Sequence, residues 1–238
     1  LPGIGLAAVD GRGILARHPL KRIGLLGGSF NPAHRGHRRL SLHALRALDL
    51  DEVWWMVSPG NPLKDKAGMA PFQARMASAR AMARHAPIRP TAIEKRMKTR
   101  YTADTLTKLP RLYPNHRFIW LMGADNLAQF HRWERWRHIA RQVPIAVIAR
   151  PGYDRGAHAS PAMGWLRRAV RPAGQAKHWT RWRLPALVLL RFRPDPTSAT
   201  RLRAADPAWH RRFLGSSPQL EQESPAPSPP TLHKPSLD

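Results

Sequence analysis

Two histidines three residues apart, His34 and His37, stand in the stretch GLLGGSFNPAHRGH from Gly24 to His37. Residues at that spacing share one face of a helix, so a helix starting near His34 would present both imidazoles together. Each imidazole can donate hydrogen bonds to phosphate oxygens and stabilise charge that develops during group transfer. Such a pair also suits a metal. However, no third ligand of suitable spacing accompanies it, and no carboxylate cluster resembles a dedicated cage. A pair of helix-surface histidines in a basic protein is the plain alternative. Ahead of them, Gly27 and Gly28 put no Cβ in the way of a ligand. The backbone N–H groups of Gly27, Gly28, Ser29 and Phe30 can cradle phosphate oxygens at a helix N-terminus. The stretch is neither a G-x-G-x-x-G fingerprint nor a P-loop, because no G-K-[ST] follows.

Such a turn has to be held between a strand and a helix. RIGLLGG reads as a strand ending in glycines. In RGHRRLSLHALRALD, Leu40, His43, Ala44, Ala47 and Leu48 fall at helical spacing. EVWWMVS is a continuous apolar, β-favouring run. PFQARMASARAMARHA is a helix with Pro71 in its first turn. YTADTLTKLPRLY starts another, with Thr102 or Asp104 able to cap it. HRFIWLMG, VPIAVIAR and LPALVLLRF are further strands. Strands that are apolar throughout, rather than alternating, imply burial on both faces. With helices between them, they predict a doubly wound α/β domain with a mostly parallel sheet. Ligands in such folds bind beyond the carboxyl ends of the strands. Here those ends fall after Leu26, Val57, Met122 and Phe192.

The chain of 238 residues fits one domain with additions. The expected division is an extension over 1–20, a domain over 21–213 and a Pro/Ser-rich disordered tail over 214–238. The absence of cysteine excludes disulfides and thiolate metal sites. No apolar run is long enough to span a bilayer, and the first residues lack the basic start of a signal peptide. A cytoplasmic location is expected. The formal net charge is +25, mostly from arginine. The tail carries −2, which leaves +27 to the rest of the chain. A cation this strong attracts polyanions, so a non-catalytic, basic nucleic-acid-binding module is the rival reading. Arginine filling exposed positions is the plain one.

The first stretch as a whole is more specific than its parts. GGSFNPAHRGH resembles the H-x-G-H signature of the nucleotidyltransferase superfamily, in the form found in bacterial nicotinate-nucleotide adenylyltransferases. TSATRLR (Thr197 to Arg203) resembles that family's I-S-S-T-x-I-R. Ser198, Thr200 and Arg203 match, while Thr197, Ala199 and Leu202 depart. SPGNPLK (Ser58 to Lys64) is similar to its loop after the second strand. RYTADTL is similar to its S-Y-T-x-D-T-L, with Arg100 in place of Ser. WLMGADNLAQFHRWERW is similar to its G-x-D-x-x-x-x-F-x-x-W. The five motifs keep their order over Lys21 to Arg203.

The resemblance implies a Rossmann-like fold and an enzyme of NAD biosynthesis. That enzyme transfers AMP from ATP to nicotinate mononucleotide, giving nicotinate adenine dinucleotide and pyrophosphate. It assigns Gly27, Gly28, Ser29, Phe30, His34 and His37 to the ATP phosphates, with His37 at the α-phosphate. Ser198, Thr200 and Arg203 go to the β- and γ-phosphates, and the hydroxyl missing at Ala199 predicts one weaker contact. Gly123 and Asp125 go to the ribose and adenine, with a helix cap as the alternative for Asp125. Asn61 and Lys64 go to the mononucleotide, Lys64 to its phosphate; a solvated charge is the alternative for the lysine. Trp133 is to stack on the pyridine ring, or else to form one apolar helix face with Trp136. Tyr101 and Thr102 are to bind the nicotinate carboxylate. Mg²⁺ is expected on the ATP phosphates, with no metal site of the protein's own. The expected partners are the two substrates, with no membrane and no specific nucleic acid. A homo-oligomer is compatible with all of this. Nicotinamide mononucleotide or another phosphorylated acceptor is the alternative substrate. Phosphopantetheine adenylyltransferases look similar at the first motif but usually carry Thr at the position of His34.

Overall fold

Leu25 and Leu26 lie on opposite faces of one strand, and both are buried. A strand buried on both sides needs a layer of helices above and below it. The computed structural model supplies both layers and describes residues 20–60, 68–149, 154–192 and 197–214. The chain runs β1 (Lys21–Gly28), α1 (Arg35–Leu48), β2 (Glu52–Val57), α2 (Phe72–Ala83), β3 (Ile88–Thr91), α3 (Ile93–Arg96) and α4 (Thr102–Leu112). It continues through β4 (His116–Gly123), α5 (Ala124–Gln129), α6 (Trp136–Gln142), β5 (Ile145–Ala149), α7 (Asp154–His158) and α8 (Pro161–Leu166). It ends with β6 (Val170–Arg171), β7 (Leu187–Arg191), α9 (Ala199–Ala205) and α10 (Arg211–Leu214).

All seven strands pair in parallel, in the order β3-β2-β1-β4-β5-β7-β6. The chain builds outward from β1 to β3, then returns to β4 and builds the other way. The order therefore reverses between β1 and β4, where a parallel sheet leaves a crevice at its carboxyl edge. Leu26 is in register with Trp55 on one side and Leu121 on the other.

Alternation along the strands sorts the core into two. Leu25, Trp54, Met56, Trp120 and Val147 face a layer that includes α4, α6 and α8. Leu26, Trp55, Val57, Leu121 and Ile148 face α1, α2 and the 3₁₀ segment Ala173–Arg181. The doubly wound α/β reading is thus observed, with a sheet that is wholly parallel.

Several local readings change. Pro71 is the residue before α2, not part of its first turn, because its ψ of 144° is extended. Neither Thr102 nor Asp104 caps α4. Tyr101 holds the cap position, and no side-chain cap bond forms there. The sequence reading also missed β3 and β6. Each lies at a sheet edge, β3 carries Pro90, and β6 is two residues long. Proline is tolerated in edge strands because the missing N–H need not face a neighbour. The extension expected over 1–20 lies outside the described residues except for Leu20, and so does the tail from 215.

Candidate active site

The turn after β1 lies at the reversal of strand order. A Cβ on Gly27 would come within 2.9 Å of Cη2 of Trp120, so glycine lets that indole lie against the turn. Phe30 follows at φ 48°, a left-handed conformation that few L-residues adopt. Its ring stacks on Trp55 at 4.9 Å and lies 4.9 Å from the His37 ring.

His34 is the N-cap of α1, with φ −147° and ψ 170°. Its Nδ1 accepts from the Gly36 N–H at 3.1 Å, and Nδ1 of His37 accepts from the His34 N–H at 3.2 Å. Two helix-end donors are satisfied reciprocally in this way. An imidazole that accepts through Nδ1 carries its proton on Nε2. The cap therefore turns both rings into Nε2–H donors at a helix N-terminus, with their centroids 3.8 Å apart. With both Nδ1 atoms engaged, a metal pair loses half its ligand atoms. Among the described residues no group of three His, Cys, Asp or Glu side chains could hold a metal.

Gly36, between the histidines, is held by space. A Cβ there would lie 2.9 Å from the His34 ring and 3.3 Å from the carbonyl oxygen of Thr197. The late motif thus reaches the first one. Ser198 caps α9, its Oγ accepting from the Arg201 N–H at 3.2 Å. Arg203 donates to the carbonyl of Asn31 at 2.6 Å and lies 3.4 Å from Oγ1 of Thr200. Ser198, Thr200 and Arg203 are therefore brought to His34 and His37, and the N-termini of α1 and α9 adjoin.

Across the strand reversal, Gly123 is the N-cap of α5, with no side-chain cap bond. Asp125 is accordingly not the cap. Its Oδ1 lies where a Cβ on Gly123 would sit 2.3 Å away. Beside it, a cavity of about 310 Å³ opens between Ala124, Leu127, Val147 and Leu189, with Arg171 and Arg191 in its lining.

The aromatic residues form a second group. Trp133 is half-buried and ends the 3₁₀ turn Phe130–Arg132, edge-on to Trp120 at 6.1 Å and to Phe130 at 5.4 Å. Trp136 is buried, and both tryptophans pack against the same core, each edge-on to Phe130. Tyr101 and Thr102 stand half-buried at the start of α4. The Arg100 guanidinium lies 5.6 Å over the Tyr101 ring. An ion pair between Asp104 and Arg135 ties this helix start to the segment that follows Trp133. Trp120, between Gly27 and Trp133, links the two groups. Asn61 and Lys64 lie outside the described residues.

Three residues that the sequence reading missed shape the site from beneath. Asn31 donates from Nδ2 to the Gly68 carbonyl at 2.9 Å and accepts from the Ala70 N–H at 3.2 Å. Ser78 accepts from the Ala33 N–H at 3.2 Å. Arg75, only 2% exposed, donates to carbonyls of three segments. Burial holds its pKa below the ordinary value. The signal available was an arginine among Ala74, Met76, Ser78 and Ala79 on a helix face that proves buried.

Comparison with known proteins agrees with this fold. The cytidylyltransferase-like family model matches residues 25–205. A probable nicotinate-nucleotide adenylyltransferase of Erythrobacter litoralis is 63% identical over 192 residues, 81% of this chain and 88% of that protein. One of Parvibaculum lavamentivorans is 51% identical over 185 residues, 78% of this chain and 92% of that protein. The fold is similar to that of the nicotinic acid mononucleotide adenylyltransferase of Plasmodium falciparum, solved with NaAD. The TM-score is 0.55 at 17% identity, covering 77% of this chain and 83% of that one. By the extent of the family match and the identity to these relatives, the chain belongs to the nicotinate-nucleotide adenylyltransferase family of cytidylyltransferase-like proteins.

Proposed function

We propose that this protein transfers AMP from ATP to nicotinate mononucleotide, giving nicotinate adenine dinucleotide and pyrophosphate. The observation that carries the reading is the reciprocal cap, which turns His34 and His37 into two Nε2–H donors beside Ser198 and Arg203.

An oxygen of the acceptor's 5′-phosphate attacks the α-phosphorus in line, the bond from that phosphorus to the bridging oxygen breaks, and pyrophosphate leaves. Such chemistry asks the protein for positioning and charge stabilisation rather than for a covalent intermediate. His37 and His34 donate to the phosphate oxygens as charge shifts, with the backbone of Gly27, Gly28, Ser29 and Phe30 around them. Ser198, Thr200 and Arg203 hold the departing pyrophosphate. Gly123 and Asp125 meet the adenosine. Trp133 stacks on the pyridine ring, Tyr101 and Thr102 meet its carboxylate, and Asn61 and Lys64 hold the mononucleotide. Mg²⁺ is proposed to enter as part of the substrate, on the ATP phosphates. Residues 21–213 form the proposed catalytic domain, and the segments 1–19 and 215–238 lie outside the described residues. No helix among the described residues is long and apolar enough to cross a membrane. The cytoplasm is the proposed location.

The test is pyrophosphate release from MgATP with nicotinate mononucleotide and nicotinamide mononucleotide side by side. Strong preference for the acid is expected. Equal use of both, or use of neither by a folded, ATP-binding protein, sinks the substrate assignment. Salt-sensitive DNA binding without turnover would favour the nucleic-acid module instead.

A further inference from the structure

We propose that Arg75 is a positioning residue for this reaction, fixing the loops after β1 and β2 relative to each other and aiming the Phe30 N–H into the site. The inference rests on the reading above, in which those two loops carry the two substrates.

The guanidinium is buried and, among the described residues, pairs with no carboxylate. It is satisfied by carbonyl oxygens alone. Nε donates to Ala70 at 3.0 Å. One terminal nitrogen donates to both Ser29 at 2.8 Å and Ser58 at 2.7 Å, and the other lies 3.4 Å from the Pro59 oxygen. One nitrogen thus joins the turn after β1 to the loop after β2, while Nε holds the segment that leads into α2. A planar fork of five donors can serve three segments at fixed angles. A lysine ammonium, a single point with three donors, cannot.

The consequence lies on the far side of each peptide. A trans peptide carries its C=O and its N–H on opposite edges. Turning the Ser29 carbonyl onto Arg75 turns the Phe30 N–H the other way. No partner among the described residues takes that N–H. Turning the Pro59 carbonyl inward does the same for the Gly60 N–H at the start of the SPGNPLK loop. The buried charge, with no anion beside it, also adds positive potential beneath a phosphate site. Asn31 and Ser78 stitch the same junction through Gly68, Ala70 and Ala33. Arg75 is the member that spans all three segments.

Arg38 provides an internal comparison. It also donates to two carbonyls, Met82 and Arg84 at 2.8 and 2.7 Å, but at the far end of α2. The experiment compares Arg75→Lys with Arg38→Lys in the full-length protein, by steady-state kinetics, thermal melting and amide hydrogen exchange. For Arg75→Lys, kcat falls at least tenfold while KM for ATP and for nicotinate mononucleotide stays within threefold. The amides of Ala33, Ser58 and Ala70 exchange at least tenfold faster, and those of the central strands do not change. For Arg38→Lys, any loss of melting temperature leaves kcat of the folded protein intact. Equal behaviour of the two variants, with lower melting temperature and unchanged kcat, overturns the proposal. Unchanged exchange at Ala33, Ser58 and Ala70 overturns it as well. If the wild-type protein releases no pyrophosphate, the substrate reading fails by itself. The exchange comparison then still decides whether Arg75 holds the two loops.

Discussion

In the proposed reaction, His37 serves the fold and the chemistry through different atoms. Nδ1 accepts the His34 N–H and closes the cap of α1, and the donation proposed toward the α-phosphate runs through Nε2. Replacing it with Ala removes a donor aimed at developing charge, a loss of about 10²–10³ in kcat. Binding of the mononucleotide, measured by calorimetry, changes far less, because in the proposed reaction other side chains hold the acceptor. Parallel loss of turnover and acceptor binding would take the catalytic role away from His37. Glu94 is a second residue with a measurable signature. Burial raises its pKa from 4.5 to about 7. Between those values the folded protein holds a proton that the unfolded chain has released, so this residue's contribution to stability falls as pH rises. Above pH 7 the penalty is complete. Glu94→Gln therefore stabilises the protein at pH 8, and the gain fades as pH drops toward 4.5. Urea titrations at both ends check this, and a gain independent of pH would contradict it.

Among the elements, α1 is fastened to β2 by one shared hydroxyl. Ser41 Oγ donates to the His37 carbonyl at 2.9 Å and accepts from the Trp55 indole N–H at 2.8 Å. Ser41→Ala strands a buried indole donor, at a cost of about 1–3 kcal/mol. Chemical denaturation should read that loss while kcat of the folded protein stays near wild type. The strands that build the crevice were legible because each is apolar on both faces, and the helix α1 because of its repeat. The first motif was legible by type and spacing, but its geometry was not. Nothing in H-x-G-H says that the glycine is held by the carbonyl of Thr197, or that the first histidine is the cap. Asn31 and Arg75 were missed because their partners are backbone groups of other segments, and backbone leaves no trace in composition. The edge strands β3 and β6 were missed because neither has the length or composition of a buried strand.

At the scale of the molecule, the charge is lopsided. A formal +25 over 238 residues repels itself, and salt screens that repulsion. The melting temperature should rise by about a few degrees between low and physiological ionic strength, as calorimetry would show. A falling melting temperature would mean that ion pairs outweigh the repulsion. The same charge favours anionic substrates in general, so steady-state KM for ATP should climb with salt more steeply than kcat falls.

The bond from Arg203 to the Asn31 carbonyl joins residues 172 positions apart. A chain emerging from the ribosome completes all seven strands before that bond can form. The residues proposed to hold pyrophosphate are therefore synthesised after every strand of the sheet they adjoin. A released chain ending just before Thr197 would keep the sequence of all seven strands and lose the residues proposed to hold pyrophosphate, so ATP turnover and the fold can be separated by truncation.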